Sequence, residues 1–202
     1  MLNVWNKHTK LDGKTSRYLD WFLKLKCSSD ILRLGVLPST NACKEITESF
    51  AATVALRSFI GSDRFSDKNW TAVVIGDGHR PRTGVMIAFQ TKWSVYSIDP
   101  NLRGDCLCDR LTLIRKHIEE TPLEFNTNVV IVGVHSHATP LVSWDSVKNP
   151  PEMRKLFINI PCCVKGPPPI GKFKFTSYED HNIWSPHCTV QVYERISDAD
   201  LL

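Results

Sequence analysis

Val73-Val-Ile-Gly-Asp-Gly-His-Arg-Pro-Arg-Thr-Gly84 reads as a buried strand, a glycine turn and the start of a helix. Gly76 and Gly78 permit positive φ and let a ligand approach the main chain closely. Pro81 suits a first helical turn, where a missing N–H costs nothing. Ser94-Val-Tyr-Ser-Ile-Asp-Pro100 follows as a second buried strand closed by a carboxylate. Asp99 lies about 21 residues beyond Gly78, the spacing at which an acidic side chain accepts hydrogen bonds from a ribose diol. The two stretches together predict an adenosine-type ligand held at the carboxyl edge of a parallel sheet.

Outward from this core, the pattern organises the rest of the chain. Residues 16–34 carry Tyr18, Trp21, Phe22 and Leu25 on one helical stripe, ended by Gly35 and Pro38. A second helix is expected from about Cys43 to Phe59, with Asn41 as N-cap and Gly61 as stop. Thr71–Ile75 and Trp93–Ile98 are strands on either side of a Pro81–Thr91 helix, in which Gly84 allows close packing on the sheet. Leu111–Ile118 is open between strand and helix, with strand preferred. Asn128–Val134 and Leu156–Pro161 are further strands, and short helical turns are expected at Trp144–Val147 and Glu152–Lys155. Gly166 to Gly171, with three prolines, reads as a loop. Two late strands, Lys172–Ser177 and Cys188–Ile196, close the pattern.

Size and composition set limits. The 202 residues, 42% hydrophobic and 23% charged, fit a single globular domain: an amino-terminal helical cap over 1–62 and a sheet core over 70–196. Met1–Thr15 is polar and lysine-bearing, unlike a signal peptide, and no apolar run approaches the roughly 20 residues of a membrane span. Seven cysteines without framework spacing favour a reducing, cytoplasmic setting. Cys106-Leu-Cys108 and Cys162-Cys163 lack zinc-knuckle spacing, and His135, His137 and His187 or Cys188 fit no standard pattern, so no metal is expected. Residues 1–40 hold seven Lys/Arg against three Asp/Glu, whereas residues 41–202 hold 18 of each. The positive excess therefore lies in the amino-terminal segment, which can contact phosphates or serve as a solvated helix face.

Strand-Gly-x-Gly with an acidic residue closing the next strand resembles a class I S-adenosylmethionine-dependent methyltransferase. The likeness runs from about Trp70 to Ile196, and the late strand pair is similar to the antiparallel hairpin that closes that sheet. Gly133-Val-His-Ser-His-Ala138 and Asn159-Ile-Pro-Cys-Cys163 resemble a tRNA-modifying ribose methyltransferase branch, although His137 and Ala138 stand where that branch shows Cys and Gly. The resemblance implies an α/β, three-layer Rossmann-like sandwich: a mostly parallel sheet, a C-terminal antiparallel strand pair and two added N-terminal helices. It further implies S-adenosylmethionine as cofactor. Gly76, Asp77 and Gly78 would line its methionine moiety, Asp99 with adjoining Pro100 would take the ribose, and Glu119 would end the third strand near the adenine. His135 and His137 would follow the fourth strand on the side of the transferred methyl, as candidate bases near neutral pH. The two alternate on an extended segment, so only one faces the ligand and the other points away.

The implied activity is methyl transfer, with RNA as acceptor through the branch likeness and the basic amino terminus. A second reading is a non-catalytic descendant that keeps the pocket as a binding or scaffold subunit. A third is a nicotinamide-dependent oxidoreductase, disfavoured because Pro81 interrupts the Gly-x-Gly-x-x-Gly turn. No Asp/Asn-Pro-Pro-aromatic motif follows the fourth strand, which argues against methylation of a base amino group. For His135 and His137 the competing role is local hydrogen bonding in a loop, and for Cys162 and Cys163 burial at a strand end. Lys172-Phe-Lys-Phe175 could stack on RNA, but its alternation is that of a half-exposed edge strand, which is preferred.

Overall fold

The computed structural model describes residues 15–38, 40–105, 108–162, 168–169 and 171–196. Its centre is β1, Trp70–Ile75, all six residues buried. This continuous apolar run is what a strand covered on both faces requires. Beside it lie β2 (Ser94–Ile98) and β3 (Leu111–Ile114) on one side and β5 (Asn128–Val134) and β7 (Lys155–Ile160) on the other, all parallel to their neighbours. Two more strands, β8 (Phe173–Glu179) and β9 (Thr189–Arg195), finish the sheet. β9 runs antiparallel to both β7 and β8. The order β3-β2-β1-β5-β7-β9-β8 is that of an α/β, Rossmann-like sheet, mostly parallel and closed by an antiparallel strand pair.

Two apolar clusters sandwich this sheet. One joins Trp70, Val74, Val130 and Ile158 to the helical side. There α4 (Arg82–Gln90) crosses between β1 and β2 and packs under α3 (Ala42–Ile60). Trp70 and Trp93 stack at 5.5 Å within this layer. The other cluster gathers Val73, Ile75, Ile131 and Phe157 beneath a thinner cover. That cover consists of a 3-10 turn at Ile118–Glu120, the short helix α5 (Pro140–Asp145) and a two-stranded sheet of β4 (Leu123–Glu124) and β6 (Val147–Lys148).

Several boundaries differ from the sequence expectations. Residues 16–34 form two helices, α1 (Arg17–Leu23) and α2 (Ser28–Arg33), so among the described residues three α-helices precede the sheet rather than two. The break has a geometric cause: Phe22 and Ile31, both buried, would fall on opposite sides of one continuous helix. Ser28 donates its hydroxyl to the Leu23 carbonyl across the break. The expected strand 111–118 stops at Ile114, leaving Ile118 to plug the core from a 3-10 turn. The expected helical turn at Glu152–Lys155 is reduced to a single turn, closed by Met153 N–H on the Pro150 carbonyl at 3.1 Å, because Lys155 already pairs with Val129 in the parallel ladder. Gly84 does what the sequence anticipated: a Cβ there would come 2.6 Å from Ser97 Oγ. Part of the loop around Pro167-Pro-Pro169 falls outside the described residues.

The cap is stitched to the connection between β8 and β9. Tyr18 donates its hydroxyl to the buried Asp180 carboxylate, the Trp184 N–H donates to Thr47 Oγ1 at 2.9 Å, and the Trp184 indole N–H donates to the Thr15 carbonyl at 2.7 Å.

Lys155 is an unusual strut. Only 4% exposed, its ammonium donates to the carbonyls of Trp144 (2.7 Å) and Val147 (2.5 Å) and lies over the Trp144 ring. Burial, with Arg195 and Lys148 adding to it, pulls its pKa down to about 7, against the pull of Asp145. Between about pH 7 and pH 10 the unfolded chain therefore binds the extra proton, and stability rises with pH through that window. Urea denaturation of wild type and Lys155→Met across it should show wild type gaining about 2–4 kcal/mol on the variant. Parallel curves would disprove this account.

Candidate functional site

The order of the sheet reverses between β1 and β5, and ligands of such sheets bind outside the carboxyl ends of the strands at that reversal. A cleft of about 610 Å³ opens there, lined by the turns after β1, β2 and β5, the 3-10 turn after β3 and the first turns of α3. This volume lies in the range of small-molecule sites.

The turn after β1 is built by its glycines. Gly76 has φ +70° and Gly78 φ +73°, conformations that side-chain-bearing residues rarely adopt. A Cβ on Gly76 would lie 2.7 Å from Ser136 Oγ and 2.9 Å from Ser136 Cα, so the turns after β1 and β5 touch because this residue has no side chain. The Gly76 N–H donates to the Ile98 carbonyl at 2.8 Å, and the Gly78 N–H donates to Asp99 Oδ2 at 3.0 Å. The bend and the carboxylate that closes β2 therefore meet directly. Asp99 Oδ1 accepts the Asn101 N–H at 2.8 Å. Each oxygen thus spends one acceptor site on the protein and keeps another for a ligand. Pro100 lines the same cleft.

Asp77 sits in this turn with its side chain directed elsewhere. Its carboxylate accepts the N–H groups of Thr83 and Gly84, each at 2.9 Å, and the Ser97 hydroxyl. It thereby satisfies the free donors of the α4 amino terminus and welds that helix to β2. Burial pushes its pKa up, against these three hydrogen bonds. Asp77 is thus a structural anchor by its side chain and borders the cleft by its position in the turn. Glu119 reaches the cleft too, exposed, from the 3-10 turn rather than from a strand end.

His135 and His137 both line the cleft, which corrects the expectation that only one would face it. The segment is not extended: His135 has φ +53°, a left-handed backbone that breaks the alternation. The His135 N–H donates to the Ile160 carbonyl at 2.8 Å, and the Ser136 hydroxyl accepts the Ala138 N–H at 3.2 Å. His137 is exposed, while the His135 ring turns beneath the cap. Its Nε2 lies 3.5 Å from Glu48 Oε1, and neither atom has an aligned hydrogen bond. Burial first, then the Lys44 ammonium, pulls the His135 pKa down to about 4. Glu48, 2% exposed, has its pKa raised by burial, against the opposing Lys44 ammonium 3.0 Å away. Arg82 pairs with Glu45 at 2.8 Å on the same wall.

Glu48 is the site residue that the sequence did not reveal. Its spacing from Lys44 reads as a solvated i,i+4 ion pair. The signal lay in its surroundings. Ile46 to Thr53 of α3 are buried without interruption, so the helix has no polar face there for a carboxylate to occupy. Among the described residues no cluster of three or more His, Cys, Asp or Glu side chains could hold a metal ion. No described helix is long and apolar enough to cross a membrane.

No family model matches the chain, and no curated protein matches it. Among solved structures, a mutant of MtNAS in complex with S-adenosylmethionine is similar to it with a TM-score of 0.48 and 13% identity, over 94% of this chain and 73% of that one. MtNAS in complex with MTA and tNA gives a TM-score of 0.43 and 10% identity, over 92% and 69%. A candidate S-adenosyl-L-methionine-dependent methyltransferase of Methanococcus maripaludis gives 0.35 and 16%, over 76% and 66%.

Proposed function

We propose that this chain binds S-adenosylmethionine in the cleft and transfers its methyl group. The observation that carries this reading is the direct bond between the Gly78 N–H and Asp99 at the carboxyl ends of β1 and β2, on the edge of the cleft. The site fits the cofactor in two respects. The Gly76–Gly78 turn leaves main chain bare where a methionine moiety would lie, and Asp99 keeps acceptor capacity for both ribose hydroxyls. When bound, the cofactor supplies an electrophilic methyl group on a sulfonium. The chain's own work is then to hold ligand and acceptor in line, as Asp99, Pro100 and Glu119 do on one side and His135 and His137 on the other.

The acceptor in this reading is RNA. What supports it is the cap, where Arg17, Lys24, Lys26 and Arg33 are exposed and Trp21, itself 44% exposed, is overlain by Arg17. Lys7, Lys10 and Lys14 fall outside the described residues. A cytoplasmic setting belongs to the same reading, supported by seven cysteines without framework spacing.

Calorimetry with S-adenosylmethionine, S-adenosylhomocysteine and NAD tests the cofactor: the first two are expected to bind, and preference for NAD overturns the reading. Asp99→Ala is expected to weaken S-adenosylmethionine binding about 10- to 100-fold, the loss of charge-assisted hydrogen bonds worth about 1–3 kcal/mol. Unchanged affinity in a folded variant removes Asp99 from the site. Radiolabelled methyl transfer to RNA, protein and small molecules then identifies the acceptor, and binding without transfer to any of them favours the scaffold role.

A further inference from the structure

Two buried polar atoms in this protein face each other without an aligned hydrogen bond: Glu48 Oε1 from the cap and His135 Nε2 from the turn after β5, 3.5 Å apart. Lys44 meets Glu48 Oε1 at 3.0 Å, but His135 Nε2 has no other partner among the described residues, and a proton shared with Glu48 satisfies that buried nitrogen. His135 is also held in a left-handed backbone, a conformation that persists only where surrounding structure enforces it. Enforced geometry and an imidazole nitrogen aimed at a buried carboxylate on the wall of the same cleft mark the pair as more than a packing contact.

The electrostatic surroundings leave the pair poised. Lys44 on the same helix lies 3.0 Å from Glu48 Oε1 and favours the carboxylate. Arg82 of α4 acts in the same direction, and the Ser185 hydroxyl hydrogen-bonds Glu48. Burial acts the other way and raises the Glu48 pKa. On the imidazole, burial, Lys44 and the His187 ring disfavour a charge, while Glu45 and the His187 main chain favour it. Titration therefore belongs to the couple rather than to either residue.

We propose that Glu48 and His135 hold one proton between them and release it when a sulfonium cation enters the cleft, so that the site reads the charge of its ligand. This rests on the S-adenosylmethionine reading above. A positive charge brought into a low-dielectric cleft favours the anionic form of a nearby couple. The couple thereby acquires a negative charge opposite the sulfonium. When the cleft instead holds the neutral thioether left by methyl transfer, that charge has no counterpart, and the couple takes a proton back from solvent. The protein then discriminates substrate cofactor from spent cofactor by protonation, more strongly as pH rises. Glu48 is a positioning residue here, acting through electrostatics and through His135.

The test is calorimetry of S-adenosylmethionine and S-adenosylhomocysteine in buffers of different ionisation heat, from about pH 5.5 to about pH 7.5. In wild type, the sulfonium ligand is expected to release up to about one proton and the thioether ligand close to none. The affinity ratio of the two then rises by at most about tenfold per pH unit. In Glu48→Gln the difference in proton count and the slope of the ratio vanish while both ligands still bind. His135→Asn, which tolerates the left-handed backbone, repeats the test if Glu48→Gln does not fold. NMR titration of the His135 ring without ligand is an independent readout: its curve is expected to change shape in Glu48→Gln. Equal proton counts for the two ligands, or a ring titration unmoved by Glu48→Gln, overturns the inference and leaves cofactor binding standing. Failure of both ligands to bind wild type overturns the cofactor reading, and the inference with it.

Discussion

Asp77→Ala is expected to be the most damaging single change in the sheet layer, costing about 3–5 kcal/mol of folding stability. Its carboxylate is the shared acceptor for Thr83 N–H, Gly84 N–H and the Ser97 hydroxyl, all buried. Alanine orphans three donors at once, two of them the first free N–H groups of α4. Relief from burying the carboxylate offsets part of this loss, which keeps the figure below the sum of three lost bonds. Asp77→Asn retains one acceptor oxygen and should lose about half as much. Guanidinium denaturation of the three proteins measures the series. An alanine variant within about 0.5 kcal/mol of wild type, the range of an ordinary surface change, would show that α4 is anchored by something else.

The second large effect concerns Gly76. Gly76→Ala imposes a left-handed backbone on a residue with a Cβ, about 1–2 kcal/mol, and drives that Cβ into Ser136, where relief requires moving main chain. The expected loss is about 2–4 kcal/mol of stability. Binding of S-adenosylmethionine should also weaken, since the displaced turn carries His135. The double variant Gly76→Ala with Ser136→Gly removes the clashes with the serine side chain but leaves the new methyl 2.9 Å from the main chain of residue 136. It should therefore recover part of the loss and not all of it. A double-mutant cycle by denaturation and calorimetry reads this coupling. Additivity of the two changes would mean that the turns after β1 and β5 do not bear on each other.

What was legible in the sequence was the part determined by local pattern. Asn128–Val134 forms the strand its apolar run predicts, to the residue. The two glycines and Asp99 converge as their spacing implies. What escaped was set by contacts distant in sequence. The stripe at residues 16–34 has helical period throughout, and only the need to bury both Phe22 and Ile31 divides it. The Asp77 side chain could not be distinguished from a ligand-facing group until α4 was seen to start against it. Glu48 and His135 are separated by much of the fold, and each has an ordinary local explanation. Their meeting is a property of how α3 lies over the sheet edge.

The stitching of the cap to the β8–β9 connection has a consequence for biosynthesis. Tyr18 finds its partner Asp180 across 162 residues of chain. Phe22, Ile31 and Phe50 share their cluster with Val190 and Val192 of β9, far along the chain. The helices of the cap thus wait, greasy side outward, until the β8–β9 segment has been made. Such long-range closure slows folding and exposes nascent chains to aggregation, so chaperone holding of the amino-terminal helices is the natural demand this topology makes on the cell.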